Sequence, residues 1–367
     1  MKNVIVLIRS FFLLRPRFLS TIFFIPILYG IGWALSQPLL LFNFEKENLS
    51  LIGTIFTFFL FIFLLPYWFY IKRNKSSAWI ILGITKDKFL KNFFHFSQGI
   101  LFALVLIILI LVPLLQKNYI SWIGEFSPII LLNSIVLGLG VGFAEEIIFR
   151  GWLLEELKFE YGTKISIALQ AIIFSFVHNL SNEIFWNIVG LRLGFILLGI
   201  FLSLVKIRDK GSLWNCIGIH GGLVGIWFFI NNGLIEFKEN TPSFLAGPFT
   251  QNIPNPIGSF SAILILLLLC IFYAVKSKKY GKEFLELISE YVEQNNITSA
   301  DELVVKSAGK NSSLKLFIIQ SIDRKLSIED IAQSKSMDLS ELISEMETII
   351  YSGTKLDISY CIDDYLD

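Results

Sequence analysis

The sequence has little of what a soluble catalytic domain is built from. It holds three cysteines, Cys216, Cys270 and Cys361, with no paired spacing. That excludes a disulfide framework and a thiolate metal site. Histidine is as scarce: His95, His178 and His220 are all there is in 367 residues. Charged residues reach only 17%. No glycine-rich loop ending in Lys-Ser or Lys-Thr follows a strand-like run, so a P-loop nucleotide motor is excluded. No internal repeat of useful length is present.

What is there is apolar. The chain is 54% hydrophobic with 36 Phe, the composition of a polytopic membrane protein. Runs long enough to span lie at about 18–37, 51–71, 96–115, 128–148, 164–181, 184–205, 213–230 and 257–275. The expected fold is therefore all-α, with about eight transmembrane helices. Lys2, Arg9, Arg15 and Arg17 precede the first run. Lys72, Arg73, Lys75, Lys86, Lys88 and Lys91 lie between the second and third. Lys206, Arg208 and Lys210 lie between the sixth and seventh, and Lys276, Lys278 and Lys279 follow the eighth. The alternate loops carry few positive charges, so the positive-inside rule puts both termini in the cytoplasm. The expected location is integral, in a bacterial inner membrane. The first apolar stretch is broken by arginines and has no clear cleavage site, so it reads as a retained membrane-surface segment.

Charge divides the chain. From Tyr280 onward there are 8 Lys and Arg against 17 Asp and Glu, a net of −9. Residues 1–279 hold 23 against 13, a net of +10. The expected domains are thus a basic membrane part, 1–279, and an acidic helical cytoplasmic part, 280–367. The latter shows helical spacing at Phe284, Leu287, Ile288 and Tyr291, and a further helix over Leu339–Ile350. The segment 231–256 is rich in Asn, Pro and Gly and reads as an irregular external loop.

The chemistry-bearing residues lie inside the apolar runs. Glu145, Glu146 and Arg150 close the run that begins near Ser127. Ionisable groups at membrane depth are costly and mark function by default. On a helix, Glu146 and Arg150 are four apart and pair; Glu145, about 100° round, has no neighbour in sequence to pair with. One carboxylate held and one free suits general-base chemistry. His178 closes Phe174–His178, and His220 sits among glycines. Gly218 with Gly222, and Gly221 with Gly225, have spacing that lets helices approach closely. Each histidine alone is as readily a buried packing group, and Glu146–Arg150 a structural pair at the cytoplasmic boundary. The spans as drawn also separate the groups. Glu145 falls at the inner end of the fourth and His178 near the outer end of the fifth, and 128–145 covers about 26 Å of helix. The two meet only if the fourth helix continues through Trp152–Leu154 toward Leu157, or tilts or re-enters.

These residues resemble the CPBP family of CAAX-type prenyl proteases and bacteriocin-processing or Abi-type membrane proteins. Glu145-Glu146 with Arg150 matches its Glu-Glu-x-x-x-Arg, Phe174 with His178 its Phe-x-x-x-His, and Gly211–Trp214 leading to His220 its third motif. The resemblance covers about 128–230. It implies an eight-helix intramembrane protease with a cavity open to the cytoplasm, acting on a membrane-bound or lipidated protein or peptide precursor. It implies Glu145 as general base, His178 as the group positioning water, and His220 as oxyanion stabiliser; Glu146, Arg150 and Phe174 support them. One position departs: the family often has Asn four residues after the last His, where this chain has Val224, which leaves Asn215 or a backbone N–H to substitute. Zinc stays open, with Glu145, His178 and His220 as its ligands if bound. A catalytically silent scaffold or immunity-type protein is the alternative; a transporter is a third reading, without paired broken helices in matching halves.

The tail around Ile322–Ala332 and Tyr351–Asp357 is similar to the helical, winged-helix-like tail of some bacterial RecQ-type helicases. Its negative charge speaks against nucleic acid, which needs clustered Lys and Arg, and for a protein partner.

Overall fold

The computed structural model describes residues 2–14, 18–42, 44–73, 78–84, 89–178, 185–250, 253–276, 312–335 and 337–351, with 356, 358 and 360. The chain divides into two compact units, Met1–Tyr273 and Ala274–Asp367. The boundary expected from charge lies at 279/280.

The first unit is a bundle of long apolar helices. In chain order these are α1 (Lys2–Phe12), α2 (Phe18–Ser36), α3 (Lys46–Arg73), the short α4 (Ala78–Leu82), α5 (Phe89–Gln116) and α6 (Pro128–Glu146). They continue with α7 (Leu154–Val177), α8 (Phe185–Arg208), α9 (Trp214–Phe229), the short α10 (Ser243–Ala246) and α11 (Phe260–Lys276). Six helical runs among the described residues are long and apolar enough to cross a membrane, and α11 is a shorter apolar one. The expected count of eight is not confirmed. Runs 128–148 and 164–181 are joined in one 50-residue run, Pro128–Val177.

The segment 231–256 is not wholly irregular. A π-turn (Ile230–Leu234) ends α9 and leads into β2 (Ile235–Phe237), which pairs antiparallel with β1 (Ile120–Trp122), Ile120 opposite Phe237. β3 (Phe249–Thr250) and β4 (Ile253–Pro254) form a second small ladder. Ile107, Leu111, Leu114, Ile120, Ile235 and Ala246 make a separate apolar cluster beneath this cap.

The larger core is aromatic where α1, α2, α3 and the π-turn after α6, Ile147–Leu153, converge. Phe12, Phe24, Trp68 and Trp152 are all at 1% exposure or less. Phe24 stacks on Trp68 at 4.4 Å, and Trp152 meets Trp68 edge-on at 5.4 Å, geometries that suit the ring quadrupoles.

The second unit holds α12 (Ser312–Asp323), α13 (Ile328–Ser334) and α14 (Leu339–Tyr351). Ser327 caps α13, its hydroxyl accepting from the Asp330 amide at 3.2 Å, the preferred N-terminal chemistry. Ile318, Ile322, Ile331, Leu342, Met346 and Ile349 form its core. The helical spacing expected at Phe284–Tyr291 lies outside the described residues.

Candidate active site

α6 does not stop at its two carboxylates. It passes into a π-turn, Ile147–Leu153, and on into α7. Inside α7 the backbone breaks at Gly162, with φ 71° and ψ 171°. That region is open essentially to glycine alone, and the chain turns back there. Arg150 and Phe174, each 12 residues from Gly162, face one another, the guanidinium carbon 4.1 Å from the ring centre. Glu145 and His178, 17 and 16 residues from Gly162, meet at the end of the two arms. This continuation past Leu157 brings together the groups that the drawn spans held apart.

Glu145 Oε2 lies 3.8 Å from His178 Nε2 and 3.8 Å from His220 Nε2. Those separations exceed a direct hydrogen bond, and Glu145 Oε2 has no hydrogen-bond partner. The other ring nitrogens are committed. His178 Nδ1 is 2.8 Å from the Phe174 carbonyl oxygen. A carbonyl only accepts, so Nδ1 carries the proton there. His220 Nδ1 is 2.7 Å from Glu146 Oε1 and donates to that carboxylate. Both imidazoles therefore turn Nε2 toward Glu145. Glu145 is 29% exposed and His178 23%, while His220 is 5% exposed at its side chain.

Glu146 and Arg150 do pair, Nη1 to Oε1 at 2.8 Å, and both side chains are fully buried within the protein. The same oxygen of Glu146 accepts from His220. One carboxylate thus fixes a ring on α9 and a guanidinium on its own helix. Phe174, also fully buried, touches Phe149 at 5.0 Å, His178 at 4.9 Å and His220 at 5.8 Å.

Glycines set the approach of α9. A Cβ at Gly221 would lie 2.5 Å from the Gly138 carbonyl oxygen, and one at Gly225 would lie 2.6 Å from that of Ser134. Gly218 and Gly222 face α5 in the same way. α9 is thus wedged between α5 and α6 by glycines on two faces. Asn215, one of the two substitutes expected for the family's asparagine, is engaged at Asp209. Its amide donates to Asp209 Oδ2 at 2.9 Å, at the first turn of α9. His95 is also at Asp209, 3.5 Å from Oδ2, and takes no part in the site.

Three further residues at the site carry no site role in the sequence reading. The Lys206 ammonium, 2% exposed, donates to the Arg150 carbonyl at 2.8 Å and to Glu155 Oε1 at 2.5 Å. It serves a π-turn carbonyl instead of lying in a loop. Phe195 stacks on the His178 ring, centroids 4.0 Å apart at 20°. Arg192 donates to the carbonyls of Ser175 and His178. Arg192 and Lys206 left a signal, as charges within and at the end of an apolar run; Phe195, one of 36 Phe, left none.

Among the described residues no group of three or more His, Cys, Asp or Glu is placed to hold a metal ion. Glu145 Oε2 stands 3.8 Å from each of the His178 and His220 Nε2 atoms, the set expected as ligands if zinc binds, and no step of the reaction is assigned to a metal.

Comparison with known proteins separates the chain into three matched regions. Residues 2–77 match a domain of unknown function (DUF8676). Residues 312–362 match a RecQ-1-like helix-turn-helix domain, the similarity read from the tail. No curated protein and no solved structure matches. The segment that carries Glu145, His178 and His220 matches, over residues 127–226, the Type II CAAX prenyl endopeptidase Rce1-like family.

Proposed function

We propose that the chain is an intramembrane endopeptidase in which Glu145 activates water against a peptide carbonyl. The observation that carries this reading is the convergence of Glu145 Oε2 with two imidazole Nε2 atoms, each 3.8 Å away. That spacing suits one bridging water. The water gives one hydrogen bond to Glu145 and one to the lone pair of His178 Nε2. Glu145 takes the proton as the water oxygen attacks, and later returns it to the leaving amine. His220 stabilises the oxyanion through its Nε2 edge, which the Nδ1–H bond to the Glu146 carboxylate holds toward Glu145.

The substrate is a membrane-bound or lipidated protein or a peptide precursor; prenylation is not assumed. The protein sits in a bacterial inner membrane with both termini cytoplasmic, and its C-terminal unit takes a protein partner in preference to nucleic acid. A second reading, a silent scaffold of the same fold, is favoured by Val224 and by the engagement of Asn215 with Asp209.

Cleavage of a quenched fluorescent peptide library by purified protein in lipid decides between them. The wild type cleaves while Glu145→Gln and His178→Ala, still folded, do not. Equal cleavage by wild type and Glu145→Gln refutes the mechanism. A chelator arm in the same assay tests for zinc.

A further inference from the structure

α8 carries a charge that the site's three motifs do not include. Between Phe185 and Val205, Arg192 is the one charged residue. An arginine at membrane depth is costly unless its donors are used. Among the described residues its contacts are with the last turn of α7. It donates to the carbonyls of Ser175 and His178, the latter at 3.2 Å, and its guanidinium lies 4.7 Å from the Phe176 ring centre. The Ser175 hydroxyl donates back to the Arg192 carbonyl at 3.1 Å. The last carbonyls of a helix lack partners within it, and the negative end of its dipole favours a cation. Arg192 meets both needs at the residue where α7 ends. His178 is that residue: its φ of −76° and ψ of 119° leave the helix.

Three residues on from Arg192, one turn along the same face, Phe195 stacks on the His178 imidazole. α8 therefore grips His178 twice, by its backbone carbonyl and by its ring. The Phe174 carbonyl, in the same α7 turn, fixes the Nδ1 proton. We propose that Arg192 is a positioning residue, which holds the end of α7 so that His178 Nε2 faces Glu145. This rests on the protease reading for its kinetic consequence but not for its structural one.

The test uses the full chain in lipid, with Arg192→Met and Arg192→Lys beside the wild type and Glu145→Gln. Histidine-selective 15N labelling gives three imidazoles, since the chain has three histidines. In Arg192→Met the His178 Nδ1–H signal shifts and exchanges faster, while those of His95 and His220 stay. Its kcat falls about 100-fold, the cost of a misplacement near 1 Å, and its KM stays within about twofold, since substrate binding is not what is lost. Arg192→Lys, with one cationic donor in place of a fork, recovers part of kcat. The proposal is overturned if Arg192→Met leaves the His178 signal in place, or if its loss of activity only follows a loss of folded protein. If the wild type shows no Glu145-dependent cleavage, the protease reading fails, and the spectrum alone decides whether Arg192 positions His178.

Discussion

Replacing Gly221 by alanine tests whether the α6–α9 seam sets the distance between Glu145 and His220, the proposed base and oxyanion stabiliser. The added Cβ would lie 2.5 Å from the Gly138 carbonyl oxygen and 3.5 Å from Gly142 Cα. An ordinary carbon contact needs about 3.5 Å, so the seam must open by about 1 Å. Both obstacles are backbone, so no side chain can swing aside. Glu145 is three residues from Gly142, and His220 is next to Gly221, so the opening falls directly on the 3.8 Å separation between them. A displacement of that size costs about 100-fold in rate, or about 2.7 kcal/mol of barrier. Overpacking removes about 1–3 kcal/mol of stability as well. The control is Gly140→Ala on the same helix. Gly140 is exposed, and a Cβ there meets nothing within 4 Å. That variant keeps its rate and gains about 0.5–1 kcal/mol, as alanine does over glycine in a helix. The assay is kcat/KM on the cleaved peptide in nanodiscs, with thermal unfolding of each variant. Wild-type rate and stability in Gly221→Ala, or equal damage in both variants, would refute the reasoning.

Glu146→Gln strips the buried Arg150 guanidinium of its carboxylate and costs about 3–5 kcal/mol. Adding Arg150→Met restores the melting temperature but not the cleavage rate, because His220 still lacks its anion. Lys206→Met leaves the Glu155 carboxylate and the Arg150 carbonyl without their ammonium. It is expected to melt well below the wild type, with Lys206→Met/Glu155→Gln recovering part of the loss in the same scan. Gly162→Ala meets no neighbour, so its cost is conformational alone, about 1–3 kcal/mol, measured as a lowered unfolding temperature.

Much of the site was legible because its signals are ionisable groups in apolar surroundings. Glu145, Glu146, Arg150, His178 and His220 stand out against hydrocarbon, and the Glu146–Arg150 spacing specified its pair. Depth was not legible. Hydropathy marks where a run is apolar, not where a helix inside it reverses, and Gly162 lies among polar residues that look like an ordinary loop. The second bond of Glu146, to His220, spans 74 positions and leaves no pattern in sequence. Lys206 looks like a loop residue in sequence because a lysine near the end of a run follows the positive-inside rule whether or not it turns inward.

The reversal at Gly162 makes the site a difference between two lengths. Glu145 and His178 ride on arms of 17 and 16 residues that start from the same point. Bilayers of different thickness tilt or shift a helix by ångströms, and a site assembled from two independently anchored spans would slide out of register. Here both arms share one hinge, so a vertical displacement moves carboxylate and imidazole together and cancels in their separation. Reconstituted in short-chain and long-chain lipids, such a hairpin keeps its register while its depth relative to the substrate changes. Membrane thickness would then select which bond is cut before it affects how fast.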